Sequence, residues 1–457
     1  MTTTGQRPTT VSTPPAEVGP TLADPPPRTL RTWDFAALWG NLGVSLLGFT
    51  GAIFVLVPVD TQLSIYAAVT ALVLGTVLGT LGVAAAGAPG AATGAPAMVL
   101  LRGLFGTRSS YLPTLLNVVQ LVGWTTFELV TIGTAMHQLA GDIPRWVYIL
   151  AGGVITTALA LRPLGWIRVL RKYVTVAVLI ALGYLFVQLL RHPLPAFGHG
   201  TWNGFWIAVD TVVGVAVSFV PLASDYSRHA RSPRAAFAGT FVGYSITQIA
   251  CYALGLIALL TVAKGDPDQI FSSFMAVPLG TVAFSVIAIR ELDQSFADTY
   301  STAVSLQNFR PSWDRRWLAL GVGVVATGCA LALNINDYEN FLILIGSVFV
   351  PLLGVLVADW FVVSRGQWDL GERARTRWST LVPWVLGFLA YQLVNPGYLS
   401  WWTRMWGHVQ SWLHFTPQTW MSASLISFLV AALATLAIGA LRRSATHSGT
   451  RMARPRT

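Results

Sequence analysis

Twelve stretches of this chain are each apolar for long enough to cross a lipid bilayer, and that pattern leaves few folds other than a helical membrane bundle. A crossing helix needs roughly 17 to 25 mostly apolar residues, and in hydrocarbon its backbone groups must be satisfied within the segment. The stretches lie at roughly 36–58, 62–86, 112–135, 146–162, 170–190, 203–222, 237–263, 278–303, 317–335, 339–362, 378–394 and 419–441. Of the 457 residues, 54% are hydrophobic and only 11% charged, against about 25% charged in a soluble domain. Residues 1–32 are rich in Thr and Pro up to Pro25-Pro26-Pro27 and lack the apolar core of a signal peptide, so they predict a disordered tail. No separate soluble domain follows it.

The formal net charge of +10 could point to nucleic acid, and the placement of the basic residues decides against that. With both termini cytoplasmic, only Arg145, Arg191, Lys264 and Arg404 fall outside, Arg290 lies deep within a span, and every other Lys and Arg sits in an inner loop or tail or at the inner end of a span. This is the positive-inside asymmetry. The basic balance therefore reports topology: a multi-pass protein of the plasma (inner) membrane, with lipid and a small molecule as partners and no nucleic acid. Cys251 and Cys329 both lie in apolar segments and build neither a disulfide framework nor a thiolate metal site.

Two spans carry helix-weakening residues at mid-depth. The first reads Gly40-Asn41-Leu42-Gly43-Val44-Ser45, and the sixth runs from Gly214 to Pro221, where proline removes a backbone donor. Discontinuous first and sixth spans point to a transporter of two five-helix inverted repeats with a midplane site between them. The repeats cover about 33–192 and 200–362, forming a ten-helix core at 33–362. Two peripheral helices follow at 363–441, then a basic tail at 442–457.

Ionisable residues inside the spans mark substrate or ion pathways. In the third span, Gly123-Trp124-Thr125-Thr126-Phe127-Glu128 puts an indole and a carboxylate four residues apart, on one helix face. They can address one ligand as plate and acceptor; the plainer reading has Glu128 satisfied by a neighbouring helix while Trp124 packs. The eighth span holds Arg290, Glu291, Asp293, Ser295 and Asp298. Glu291, Ser295 and Asp298 share a stripe, Asp293 points away from it, and Arg290 can neutralise one acid in a structural pair. A carboxylate among hydroxyls and carbonyls suits Na⁺, and a desolvated one can carry H⁺.

Several short motifs in this order resemble the nucleobase-cation-symport-1 family, in particular its cytosine-purine permease branch. They are Thr93-Gly94-Ala95-Pro96 with Arg102 and Phe105-Gly106, Gly123-Trp124, Asp225-Tyr226-Ser227-Arg228, Ser295 to Ser301, and Asp337-Tyr338 with Phe341-Leu342, Gly346, Pro351 and Asp359. The resemblance implies a LeuT-like all-α fold, in which spans 1, 2, 6 and 7 form a bundle that rocks against a scaffold of spans 3, 4, 8 and 9. It also implies a substrate ring stacked between aromatics of the third and sixth spans. Trp124 matches the first of these; the second aligns with Ala216, and Phe219, beside Ser218, takes over the stacking. Glu128 stands where relatives often carry Gln, and Asp298 where they carry Asn. Asn41 in the first break completes the substrate set. The cation site of relatives falls at Gly40, Gly43 and Asp293, with Na⁺ or H⁺ as the coupling ion and no cofactor.

The sequence therefore predicts a secondary active symporter importing a flat, N–H-rich heterocycle: a purine, cytosine, or a related hydantoin or ureide. The alternatives are the same fold carrying a vitamin or cationic amine, and a membrane-embedded enzyme. Against the last, the seven histidines show no paired ligand spacing. Gly87-Ala88-Pro89-Gly90 is followed by no Lys-Ser/Thr, so it does not make a phosphate loop.

Overall fold

The structure is a computed structural model that describes residues 27–58, 61–161, 167–266, 269–307, 309–310 and 312–452. Most of the tail predicted to be disordered lies outside the described residues. Helices run in chain order as α1 (Thr32–Leu42), α2 (Leu46–Leu56), α3 (Ile65–Ala86), α4 (Ala88–Thr93), α5 (Ala97–Phe105), α6 (Tyr111–Ala140), α7 (Arg145–Leu161), α8 (Ile167–Leu189) and α9 (Phe205–Val217). They continue as α10 (Ala223–Ser227), α11 (Pro233–Leu260), α12 (Ile270–Met275), α13 (Gly280–Gln307), α14 (Arg315–Ala332), α15 (Tyr338–Ala358), α16 (Trp378–Val394), α17 (Ser400–Trp412) and α18 (Ala423–Met452). Each of the twelve apolar stretches holds a helix. By length and composition, six helices among the described residues are long and apolar enough to cross a membrane, or seven if the pair α1 and α2 is one span bent by 69°. Four more apolar helices are shorter, and α13 is long but carries Arg290, Glu291, Asp293 and Asp298.

Packing divides the core into two layers. One is a bundle in which α11 packs on α1, α2 and α3, and α3 packs on α9; the other is a scaffold in which α6, α7, α13 and α14 pack on one another. These are the spans expected in the rocking bundle and in its scaffold. Lipid is as apolar as a leucine, so such layers are held by close approach across small residues. Gly75 and Gly79 of α3 illustrate this: a Cβ on either would lie under 3 Å from α9, at Val212 and Ala216.

The last two spans lie closer to the core than their peripheral position in sequence implies. Helix α18 packs on α15, α16 and α9. Asp210 of α9, which is buried, receives hydrogen bonds from Ser422 Oγ (2.6 Å) and the Ala423 (2.8 Å) and Ser424 (3.2 Å) amides, and so caps α18 from another helix. The tryptophan-rich segment before it folds as the amphipathic helix α17. Trp402 Nε1 donates to Gln392 of α16 at 2.7 Å and Trp406 is buried, while Trp401 and Trp412 stay exposed.

Candidate functional site

Both predicted helix breaks are present. Helix α1 ends at Leu42 and α2 begins at Leu46; Ser45 caps α2 by accepting from the Leu47 amide at 3.1 Å. Helix α9 ends at Val217 and turns through Ser218 to Leu222 into α10. The carbonyl that the second break frees at Ser218 accepts from Gln120 Nε2 of α6 at 2.8 Å. Farther back, Gln248 Nε2 of α11 donates to the Val212 carbonyl at 3.1 Å. Gln120 is thus the scaffold's answer to a backbone group the break leaves unpaired, while Gln248 ties α11 to the body of α9.

Between the breaks, α6 and α13 close a cavity lined by residues that include Gly43, Ser45, Trp124, Glu128, Ser218, Phe219, Tyr244, Gln248, Gln294, Asp298 and Tyr338. Six of the residues singled out in the sequence thus meet at one place: Trp124, Glu128, Ser218, Phe219, Asp298 and Gly43. Trp124 stands edge-on to Tyr338 (5.9 Å between ring centroids, 69°) and Phe341 (5.3 Å, 78°) of α15. Gly123 is what admits Phe341, since a Cβ there would collide with its ring. Phe219 is fixed edge-on by Trp39 at 5.5 Å and Tyr244 at 5.4 Å. Glu128 is 1% exposed, and its Oε2 has no hydrogen-bond partner among the described residues. The Asp298 carboxyl is the near neighbour of Glu128 across the cavity, so two acids face one another there.

Four predicted residues lie elsewhere. Ala216 is buried against Gly79 of α3, and the neighbouring Val215 faces the cavity instead; one residue turns a helix by about 100°. The Asn41 side chain accepts from Thr175 of α8 at 3.2 Å and does not line the cavity. Gly40 lies against Gly243 and Thr247 of α11. Asp293 is half-buried and also off the cavity. On the same helix, Gln294 and Asp298 face the cavity, whereas Ser295 of the predicted stripe does not.

In place of Asp293, the first break meets Arg290 and Glu291, exposed by 2% and 0%. Glu291 accepts from Ser45 Oγ at 2.7 Å and from the Leu46 amide at 3.0 Å, and Arg290 Nη2 donates to the Asn41 carbonyl. A carbonyl inside the Gly40 to Gly43 stretch, where the resemblance puts the cation site, is thus bonded to a guanidinium. The residues present do not fit that ion.

The Asp225-Tyr226-Ser227-Arg228 motif has a mechanical role at one end of the cavity. Ser224 Oγ donates to Ala86 O at 3.2 Å, Ser227 Oγ donates to Gly87 O at 2.6 Å, and Asp225 accepts from the Ala97 amide at 2.8 Å. The segment after the sixth span is thereby tied to α4, α5 and the end of α3. Burial lifts the Asp225 carboxyl from 3.8 to about 6, against the pull of the Ala97 amide and Arg228.

Residues 25–377 match a family profile described as "Permease for cytosine/purines, uracil, thiamine, allantoin". Among curated relatives, the putative purine-cytosine permease YxlA of Bacillus subtilis (strain 168) is 25% identical over 391 residues, covering 78% of this chain and 83% of the relative. The cytosine permease of Escherichia coli (strain K12) is 22% identical over 377 residues, covering 80% and 87%. Among solved structures, Mhp1 in an inward-facing conformation superposes with a TM-score of 0.73 at 15% identity, covering 94% of this chain and 95% of that one. Mhp1 in a closed conformation with bromovinylhydantoin bound, described as a nucleobase-cation-symport-1 family transporter, gives 0.71 at 16%, covering 94% and 97%. The fold is the LeuT-like one of Mhp1.

Proposed function

Starting from the fact that this chain belongs to the family of permeases for cytosine/purines, uracil, thiamine and allantoin, we propose that it is a secondary active importer of a nucleobase-like heterocycle. The cargo class is a purine, cytosine, or a related hydantoin or ureide, moved by alternating access and coupled to a cation gradient. The observation that carries this reading is the pairing of Trp124 with the unpartnered, buried Glu128 Oε2 at the edge of one cavity. An aromatic face recognises any flat ring, and an acceptor with no internal donor is costly unless a ligand supplies the N–H. Phe219 offers the second ring, Asp298 a second polar contact, and Ser218 a carbonyl and hydroxyl at the sixth-span break.

The cavity measures about 40 Å³, room for a few waters only. A base ring therefore enters when bundle and scaffold part, and a ligand that holds them together afterwards shifts the population between outward and inward states. Twelve crossings with both termini cytoplasmic, in the plasma (inner) membrane, complete the reading. The relative names support its cargo: purine and cytosine for the two curated relatives, a hydantoin for Mhp1.

A second reading has one observation in its favour. Two acids, Glu128 and Asp298, line the cavity, and a cationic vitamin or amine would neutralise them. A thermal-shift screen of the purified protein against nucleobases, hydantoins, allantoin and thiamine tests both readings. Stabilisation by a neutral base, followed by its uptake into proteoliposomes, is the expected result. Stabilisation by thiamine alone supports the second reading, and silence across the whole panel rejects the heterocycle class.

A further inference from the structure

The ends of a broken helix are charged. The last carbonyls of the first half carry partial negative charge and the first amides of the second half partial positive charge. At the break between α1 and α2 both ends are answered by neighbouring residues of α13. Arg290 donates to the Asn41 carbonyl at the end of α1, and Glu291 accepts from the Leu46 amide at the start of α2 and from the capping hydroxyl of Ser45. Each charge meets the helix end of opposite sign. Both side chains are essentially fully buried, and both reach from the scaffold into the bundle. The guanidinium and the carboxylate are also electrostatic neighbours of each other.

A bound cation between the two layers would do the same physical work: neutralise freed carbonyls of the first span and bridge them to the eighth. From this geometry we infer that Arg290 is a built-in cation at the Gly40 to Gly43 stretch, where the resemblance puts the coupling sodium, and that this chain operates without Na⁺. The inference rests on the transporter reading above. A guanidinium holds its charge under all physiological conditions, so the bridge cannot be loaded and unloaded. A sodium ion brought to the same carbonyl would meet a fixed positive charge and an acceptor already engaged. Sodium prefers oxygen ligands, and the nearest carboxylate, Glu291, already takes one donor on each of its oxygens.

The test uses the purified full-length chain and sodium itself, with no organic ligand. Unfolding temperature is followed while NaCl replaces choline chloride at constant ionic strength, and binding of radiolabelled sodium is measured on the same preparation. The expected result is superposed unfolding curves and no saturable sodium binding; a saturable, sodium-specific rise in either measurement overturns the inference. Arg290→Ser frees the Asn41 carbonyl and removes the fixed charge, and it is expected to bind sodium at least tenfold above wild type. A folded Arg290→Ser that stays blind to sodium overturns the assignment of that position. If the variant does not fold, the two wild-type measurements decide alone. Because no substrate is present, a failure of the nucleobase screen leaves these outcomes unchanged, and the two proposals fall separately.

Discussion

Glu291 and Asp298 sit seven residues apart on α13, about 10 Å along the helix, and their surroundings are opposite. Glu291 has a hydroxyl on one oxygen, a backbone amide on the other and a guanidinium as its sequence neighbour. Asp298 faces another acid, Glu128, at the wall of a cavity. One carboxylate is saturated by donors that the fold supplies permanently. The other has a second acid as its neighbour, and that acid retains an oxygen with no hydrogen-bond partner. Acids buried in the same helix thus divide into a fixed part of the frame and a part that can answer a ligand, and the division follows from their partners rather than from burial.

The sharpest way to break this comparison is Glu291→Ala. It leaves the Leu46 amide and the Ser45 hydroxyl without their acceptor, at about 1–3 kcal/mol for each buried group, and removes the negative charge beside Arg290. Little folded protein is expected in detergent extracts, measured by fluorescence size-exclusion; wild-type yield and unfolding temperature would show that Glu291 is not part of the frame. On the cavity side the largest effect belongs to Trp124→Ala. Stacking of a base on an aromatic side chain contributes about 1–3 kcal/mol, so affinity for the preferred ligand should fall by roughly tenfold or more by calorimetry, and the unfolding temperature falls as well because the ring also packs on Tyr338 and Phe341. Retained affinity would reject the stacked pose.

Glu128→Gln is subtler. An amide removes one of the two facing acids and presents donors as well as an acceptor. Uptake measured across a panel of bases and hydantoins should change its rank order, and an unchanged order would remove Glu128 from recognition. The smallest effect is expected from Asp293→Ala, since Asp293 lies off both clusters. Uptake within about twofold of wild type fits the typical cost of a substitution away from packed features. A loss of cation dependence would return Asp293 to the coupling site.

Much of this arrangement is legible in the sequence because breaks and buried charges are local signals. The Gly43 to Ser45 break, the turn after Val217, and the Trp124 and Glu128 face need only composition and helical spacing. Register beyond a break is not local. Val215 replaces Ala216 at the cavity because the orientation of α9 is set by its packing on Gly75 and Gly79. Similarly, Arg290 and Glu291 replace Asp293 because the tilt of α13 against α2 decides which turn meets the break. Gln120 and Gln248 could have been noticed as amides in apolar spans, but their partners, the carbonyls of Ser218 and Val212, exist only once the helices are placed.

The cap that Asp210 places on α18 has a consequence for the end of the chain. Three donors from Ser422, Ala423 and Ser424 converge on a carboxylate that belongs to the sixth span. A displacement of α9 would pull on the first turn of the last helix through this latch, while the body of that helix stays packed on α15 and α16. A fluorescent reporter on the first turn of α18 would then register the transport cycle from a position remote from the cavity, leaving every residue of the cavity untouched.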